Sequence, residues 1–303
     1  MLRATLLKLS QSARFAKWVT SNGTTRRMAR RFVAGETLDE AIEAARACNN
    51  LGMYVSLDYL GENCSTISDA QKARDSYLEI FERIAQEKLH ANVSCKLTQL
   101  GLDLNVDFCQ GLVRSIAERA AAYDNFLRID MEGSGYAQRT VDLVKRVRSS
   151  TPAVGTVIQS YLYRSETDIQ DLLTYGCRIR LCKGAYKELA EVAYPKKRDV
   201  DFNYVRLMKI LLPSGFYHGI ATHDPRMIAE TIRWAAAKQI SKDDFEFQML
   251  YGVRTDLQRR LVKDGFRLRV YIPYGNDWFP YFMRRLAERP ANLAFLIRNF
   301  FRS

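Results

Sequence analysis

From residue 51 onward the chain alternates short runs rich in β-branched and aromatic residues with longer helical stretches. The short runs predict strands at Met53–Asp58, Asn92–Leu97, Asn125–Met131, Val154–Tyr161, Arg178–Lys183, His218–Thr222, Glu246–Tyr251 and Arg267–Ile272. Many of them end in a polar or glycine-containing turn. The helical stretches that follow are 68–89, 106–122, 136–149, 165–175, 199–212, 225–238, 255–263 and 278–289. Eight strand–helix units in succession predict an α/β fold, a distorted (β/α)8 TIM-like barrel with N-terminal helices. A doubly wound open sheet is the alternative. It would carry Gly-x-Gly-x-x-Gly after its first strand, and Gly133-Ser134-Gly135 continues with the wrong spacing. Residues 187–199, after the fifth strand, form the longest irregular insertion.

Residues 1–50 read as helices, giving a division into a basic N-terminal helical segment (1–50) and a barrel catalytic domain (51–303). Thr37 and Glu40 have the spacing of a capping box. Leu2, Leu6, Leu9, Phe15 and Trp18 form a broken apolar stripe among basic residues. It suits a transit-peptide-like segment, an interfacial helix or a plain helix packed on the domain.

Composition adds few constraints: 303 residues, 47% hydrophobic and 26% charged, is globular. No apolar run approaches the roughly 18–20 residues that span a bilayer. The six cysteines (Cys48, Cys64, Cys95, Cys109, Cys177, Cys182) include no Cys-x-x-Cys pair, and read as buried thiols in a reducing cytosol. With three histidines and no clustered ligands, no metal site is expected.

Charge is more telling. The net charge is +12. Residues 1–35 hold eight basic residues and no acidic one, and residues 284–303 hold five basic and one acidic, which leaves residues 36–283 neutral. Basic ends on a neutral body argue against a nucleic-acid surface spread over the fold. They favour a cytoplasmic protein with peripheral contact at the inner face of the membrane.

In a barrel of this kind the site lies at the C-terminal ends of the strands. Those ends carry Asp58 and Glu62, Lys96, Asp130 and Glu132, Gln159, Arg180 and Lys183, Thr222 and His223, Gln248, and Tyr271. A lone strand-end charge is usually a loop salt bridge. A ring of them near a core needs partners, and Lys96, Arg180, Lys183, Arg284 and Arg285 tilt it cationic. Arg284 and Arg285 stand i,i+4 and i,i+3 from Glu288, just before Pro290 ends the helix. Paired guanidiniums suit a small carboxylate, although a solvated basic helix is the plain alternative. The residues alone imply a barrel enzyme that handles an anionic cofactor and a small acid. A metal-dependent sugar isomerase or lyase would need inward acidic ligands where these strand ends are cationic. A non-enzymatic membrane or nucleic-acid binder is disfavoured by the neutral body.

Several motifs then stand in order: Ser94–Gly101 (SCKLTQLG), Arg128–Glu132 (RIDME), Ile158–Tyr161 (IQSY), Arg180–Tyr186 (RLCKGAY), Ala221–Asp224 (ATHD), Gln248–Gly252 (QMLYG) and Tyr281–Asn292. Over roughly residues 35–303 the sequence resembles proline dehydrogenase in its short monofunctional bacterial form. The resemblance implies an FAD-dependent flavoprotein that oxidises L-proline to Δ1-pyrroline-5-carboxylate and passes electrons to a quinone. A 4-hydroxyproline dehydrogenase of the same fold is the alternative. It implies that Met131, Gln159, Arg180, Lys183, Gly184, Ala185, Thr222, His223 and Glu288 bind FAD, with Arg180 near flavin N5. It further implies that Lys96, Arg284 and Arg285 bind the proline carboxylate, with Tyr271 and Leu250 against the ring. The Tyr271 hydroxyl would crowd ring C4 and favour proline over 4-hydroxyproline. Asp130 and Arg180 take the catalytic positions, and Glu62 pairs with Arg284 as a gate.

Overall fold

The computed structural model of the protein describes residues 23–287. Among the described residues two helices precede the first strand: α1 (Gly23–Ala29) and α2 (Leu38–Asn49). Thr37 caps α2 by accepting from the Glu40 amide, and Glu40 reaches back to the Thr37 amide, so the capping box forms. Eight parallel strands close into a barrel in sequence order. They are β1 (Tyr54–Tyr59), β2 (Ala91–Cys95), β3 (Leu127–Ile129), β4 (Val154–Gln159), β5 (Arg178–Cys182), β6 (His218–Ala221), β7 (Phe245–Leu250) and β8 (Leu268–Tyr274). Each is followed by a helix: α3 (Ile67–Gln86), α4 (Val106–Ala122), α5 (Ser134–Arg148), α6 (Ser165–Thr174), α7 (Lys197–Leu211), α8 (Pro225–Ala237), α9 (Thr255–Lys263) and α10 (Trp278–Ala287). This is the (β/α)8 architecture that the pattern predicts. Residues 1–22 and Glu288, with the readings made on them, lie outside the described residues.

Strand lengths are where the pattern and the structure differ. The apolar run Asn125–Met131 yields only three ladder residues, because β3 pairs with β2 and β4 only over Leu127–Ile129. β4 likewise stops at Gln159, and the amides of Ser160 and Tyr161 turn to the carbonyls of Cys182 and Lys183.

Alternation along the strands sorts side chains to two faces. Val55, Leu57, Val93, Ile129, Ile179, Leu181, Phe247, Val270 and Ile272 are fully or almost fully buried in the main apolar cluster. The alternate positions are polar: Ser56 and Asp58, Ser94 and Lys96, Arg128 and Asp130, Arg180, Glu246 and Gln248. Arg180 on β5 bonds Ser56 on β1, which is not its neighbour in the sheet, so these side chains meet across the barrel interior. A barrel of this class is ordinarily filled by branched apolar residues. Here a hydrogen-bonded polar chain fills it.

A second apolar cluster sits beside the mouth. Ala29, Phe32 and Val33 pack with Leu60 and with Trp278, Phe282, Met283 and Leu286 of α10. Phe32 and Phe282 lie 6.5 Å apart by ring centroids, and the Trp278 indole donates to Glu36 at 3.2 Å. The segment after α1 therefore fixes the helix that carries Arg284 and Arg285. All six cysteines are free thiols, and Cys48, Cys95, Cys109 and Cys177 are buried. Among the described residues no helix is long and apolar enough to cross a membrane.

His218, at the start of β6, is fully buried. Its Nδ1 accepts from the Ile179 amide at 3.0 Å and its Nε2 lies 2.8 Å from Ser214 Oγ. Burial, with Arg128 nearby, pushes its pKa down to about 3. The native ring is thus neutral where the unfolded chain takes a proton, below about pH 6.5. Between those values the unfolded state binds more protons, so stability falls as pH falls. His218→Asn keeps an acceptor for Ile179 without a titrating ring. Its unfolding free energy, measured by urea denaturation at steps from pH 7 to pH 4, is expected to fall less than that of wild type, the difference approaching about 1.4 kcal/mol per unit below pH 6.

Candidate active site

The C-terminal strand ends surround a cavity of about 580 Å³. Its walls include fourteen residues singled out from the sequence: Lys96, Asp130, Met131, Gln159, Arg180, Lys183, Gly184, Ala185, Thr222, His223, Leu250, Tyr271, Arg284 and Arg285. Glu62 reaches the same place through Arg284, whose Nη2 donates to Glu62 Oε1 at 2.9 Å. Burial alone would weaken charge on Arg284, but Glu62 outweighs it and raises its pKa. Glu132, a strand end in the sequence reading, does not line the cavity. It accepts from the Thr98 hydroxyl at 2.7 Å and amide at 3.2 Å, and so holds the turn after β2. Burial raises its pKa.

Arg180 is the centre of the arrangement. It is 6% exposed, and its donors point in three directions. Nη1 bonds Asp130 at 2.8 Å, Nη2 bonds Ser94 at 3.1 Å and Ser56 at 3.3 Å, and Nε bonds the Gln248 amide oxygen. The Gln248 amide nitrogen donates to Glu246 at 2.5 Å, and Glu246 accepts in turn from Arg269 at 2.6 Å and Tyr217 at 2.9 Å. Because Glu246 only accepts, the amide of Gln248 has one satisfiable orientation, with its oxygen towards Arg180. Gly219 makes room for it, since a Cβ there would run into the Gln248 amide. The guanidinium also lies 5.2 Å from the Tyr271 ring centroid.

Asp130 has both oxygens engaged, one by Arg180 and the other by the Tyr271 hydroxyl at 2.7 Å. Burial and then the charge of Asp130 hold the Tyr271 pKa well above its ordinary value, so Tyr271 stays a donor. Lys96 is likewise not a lone cation. Its Nζ lies 3.2 and 3.3 Å from the two oxygens of Asp58. Burial opposes charge on Lys96, but Asp58, with Asp130 and Glu62, keeps its pKa raised. Burial pushes Asp58 upward against the pull of Lys96.

At the other end of the cavity Lys183 is clamped by Asp201 at 2.5 Å and Asp224 at 2.9 Å. Asp224 also caps α8 by accepting from the Arg226 amide, just ahead of Pro225 at the first helical position. Hydrogen bonding to Arg226 and Lys183 holds its carboxyl well below the usual range. Gly184 has φ +108°, and a Cβ there would strike the Tyr161 ring. Glu188 ties down the insertion after β5 by accepting from the amide and hydroxyl of Ser134, at 2.7 and 2.5 Å. His223 Nε2 accepts from the Leu250 amide at 2.9 Å, and the Gln159 amide donates to the Glu132 carbonyl at 2.8 Å.

The sequence reading gave no role to Asp58, Tyr186, Lys197, Asp224, Gln248 or Tyr281, which also line the cavity. Asp58 and Gln248 stood among the strand ends, Tyr186 and Asp224 each ended a motif, and Tyr281 began one. The Lys96–Asp58 and Lys183–Asp224 pairs join residues 38 and 41 positions apart, and no local signal marks them.

The closed barrel, its charged interior and the cationic mouth define a (β/α)8 barrel whose mouth has the charge to suit an anion. Comparison with known proteins makes this more specific. The proline dehydrogenase family model matches residues 41–298, and the chain belongs to the proline dehydrogenase family. It is 43% identical to proline dehydrogenase 1 of Bacillus subtilis over 98% of both chains. It is 42% identical to proline dehydrogenase of Deinococcus radiodurans over 89% of both. Among solved structures it is similar to proline utilization A from Bdellovibrio bacteriovorus inactivated by N-propargylglycine, with TM-score 0.81 and 26% identity. That match covers 86% of this chain, which spans about a third (32%) of the larger protein.

The Lys96–Asp58 pair gives a direct test of the buried electrostatics. Lys96→Met leaves Asp58 buried without a counter-ion, and a loss of roughly 3–5 kcal/mol is expected at neutral pH. The deficit in melting temperature should shrink as pH falls and Asp58 takes a proton. Adding Asp58→Asn should recover part of it.

Proposed function

We propose that this protein oxidises L-proline to Δ1-pyrroline-5-carboxylate with FAD as cofactor, the first step of proline degradation to glutamate. One observation carries the reading. A single cavity joins the Lys96, Arg284 and Arg285 cluster to Tyr271 and Leu250, with the Glu62–Arg284 pair at the same place.

The donor set fits the cofactor. Cations outnumber carboxylates along the walls, and a cavity of about 580 Å³ lies within the range of cofactor pockets. Lys183, Gly184, Ala185, Thr222 and His223 would hold the pyrophosphate and adenosine parts, and Met131, Gln159 and Arg180 the ring system. Glu288 joins this set as a proposal from the family pattern. FAD, when bound, supplies the acceptor for the hydride that leaves the ring carbon next to nitrogen.

The chain's own residues supply orientation. Lys96, Arg284 and Arg285 receive the substrate carboxylate, and Tyr271 and Leu250 pack against the ring. Fixing the ring in one pose supplies rate through positioning. Lys96 and Arg284 already face Asp58 and Glu62, so they offer the carboxylate charge that is held in place rather than free. Asp130 fixes Arg180 and Tyr271 by accepting from both. The Glu62–Arg284 contact closes the mouth and excludes water. The substrate amine must lose a proton, so turnover falls at low pH.

Electrons pass from the reduced enzyme to a quinone-type acceptor. The basic N-terminal segment brings the barrel domain (51–303) to an anionic cytoplasmic membrane surface as a peripheral contact. Removing residues 1–30 is expected to weaken co-sedimentation with anionic liposomes, and unchanged binding would refute that part.

The visible spectrum of the purified protein tests the central reading. Flavin bands that bleach on anaerobic addition of L-proline are expected. Flavin that stays oxidised with L-proline but bleaches with 4-hydroxyproline would reassign the substrate, and a chain that takes up no FAD would overturn the proposal.

A further inference from the structure

Glu246 and Gln248 are two residues apart on β7, so their side chains share the face that enters the barrel. Glu246 is 2% exposed and does not line the mouth cavity, whereas Gln248 does. A buried carboxylate is costly to keep, and branched apolar residues ordinarily fill this space. Burial opposes the charge of Glu246, but Arg269, Gln248 and Tyr217 outweigh burial and hold its pKa below the usual glutamate value. Its oxygens are divided between two jobs. Oε1 accepts from Gln248 Nε2 at 2.5 Å and from Arg269 Nε at 2.6 Å, and Oε2 accepts from the Tyr217 hydroxyl at 2.9 Å.

The register shows what the carboxylate prevents. Gln248 stands directly across from Arg269 in the β7–β8 ladder, and its amide oxygen accepts from Arg180 Nε. The amide therefore lies between two guanidiniums, and both can only donate. Without a carboxylate its oxygen could serve either one, and its nitrogen would be left against the other. Glu246 removes the choice, because one of its oxygens occupies Arg269 and the amide nitrogen together. The amide oxygen is then committed to Arg180. Nη1 and Nη2 of Arg180 are held by Asp130, Ser94 and Ser56, and the Nε contact fixes the remaining edge of the guanidinium plane.

We propose that Glu246 is a positioning residue for the oxidation: acting through Gln248, it holds the Arg180 guanidinium in the one orientation that serves the cofactor. Glu246 itself touches neither substrate nor cofactor. The inference rests on the reading that the FAD ring system lies against Arg180, and it extends the machinery of the mouth down into the barrel.

The test is the two-electron reduction potential of the bound flavin, measured by anaerobic dye equilibration on the full-length, FAD-loaded protein. It needs no proline. In Glu246→Gln the potential is expected to be more negative by at least about 30 mV, a tenfold weaker preference for the reduced form. A misaimed cation offsets less of the charge that two electrons add. Turnover number for L-proline should fall roughly ten- to a hundredfold with KM within about threefold, since Lys96, Arg284 and Arg285 are untouched. Tyr217→Phe removes a donor from the other oxygen of Glu246 and leaves Gln248 in place. It should lower the melting temperature and leave the potential unchanged. In a Gln248→Met background Glu246→Gln should shift the potential no further, because its effect passes through the amide. If Glu246→Gln fails to fold with Arg269 unpaired, adding Arg269→Met removes the orphaned cation, and the same shift is expected.

An unchanged potential in folded Glu246→Gln overturns the proposal and leaves Glu246 as a counter-ion of the fold. So does an equal shift in Tyr217→Phe, or a full further shift in the Gln248→Met background. Wild-type flavin that stays oxidised with L-proline would sink the substrate reading, while the potentials still decide this inference. A chain that takes up no FAD overturns both.

Discussion

Arg180 places a guanidinium inside the barrel, and the surrounding strands are arranged to satisfy its donors. Asp130 supplies the opposite charge, Ser56 and Ser94 supply hydroxyls, and Gln248 supplies an amide oxygen whose orientation Glu246 dictates. Four strands besides its own thus converge on one guanidinium and its supports. A half-satisfied network at this depth would cost more than an apolar filling. The polar interior and the geometry of the mouth are consequently one problem with one solution. Any reacting group placed against Arg180 inherits the rigidity of that network.

The second requirement is a platform for α10. Arg284 and Arg285 lie in its last turn, and that helix is seated on Phe32, Val33 and Leu60 rather than on the barrel alone. A segment that precedes the first strand by some twenty residues is therefore part of how the mouth is built (α1 ends at Ala29 and β1 begins at Tyr54). The pair between Arg284 and Glu62 is only partly buried and joins two loop-proximal elements. It can open at far lower cost than the Arg180 network. A rigid floor with a looser ion pair above it is the arrangement expected of a site that must admit a substrate and then exclude water.

The fold was legible because its signals are local. Alternation of apolar and polar positions within four to seven residues marks a strand, and turns, caps and helix periods mark what lies between. The Thr37–Glu40 box and the Asp224-Pro225 start of α8 are of this kind. Order along the chain then determined the barrel, since parallel neighbours joined by helices close in sequence. The candidate site was legible to the same depth: strand-end position alone gathers Lys96, Asp130, Gln159, Arg180, Thr222 and Tyr271 around one mouth.

Tertiary structure alone decided how those groups are paired. Lys96 meets Asp58, Lys183 meets Asp224 and Asp201, and Asp130 divides its oxygens between Arg180 and Tyr271. Each of these contacts spans tens of residues, and their geometry is set by barrel closure and register, which no local pattern encodes. The sequence by itself determined the kind of barrel and most of the strand-end residues that gather at its mouth. The tertiary structure decided which charges are satisfied, because pairing depends on distance in space and on burial, and both exist only once the chain is folded.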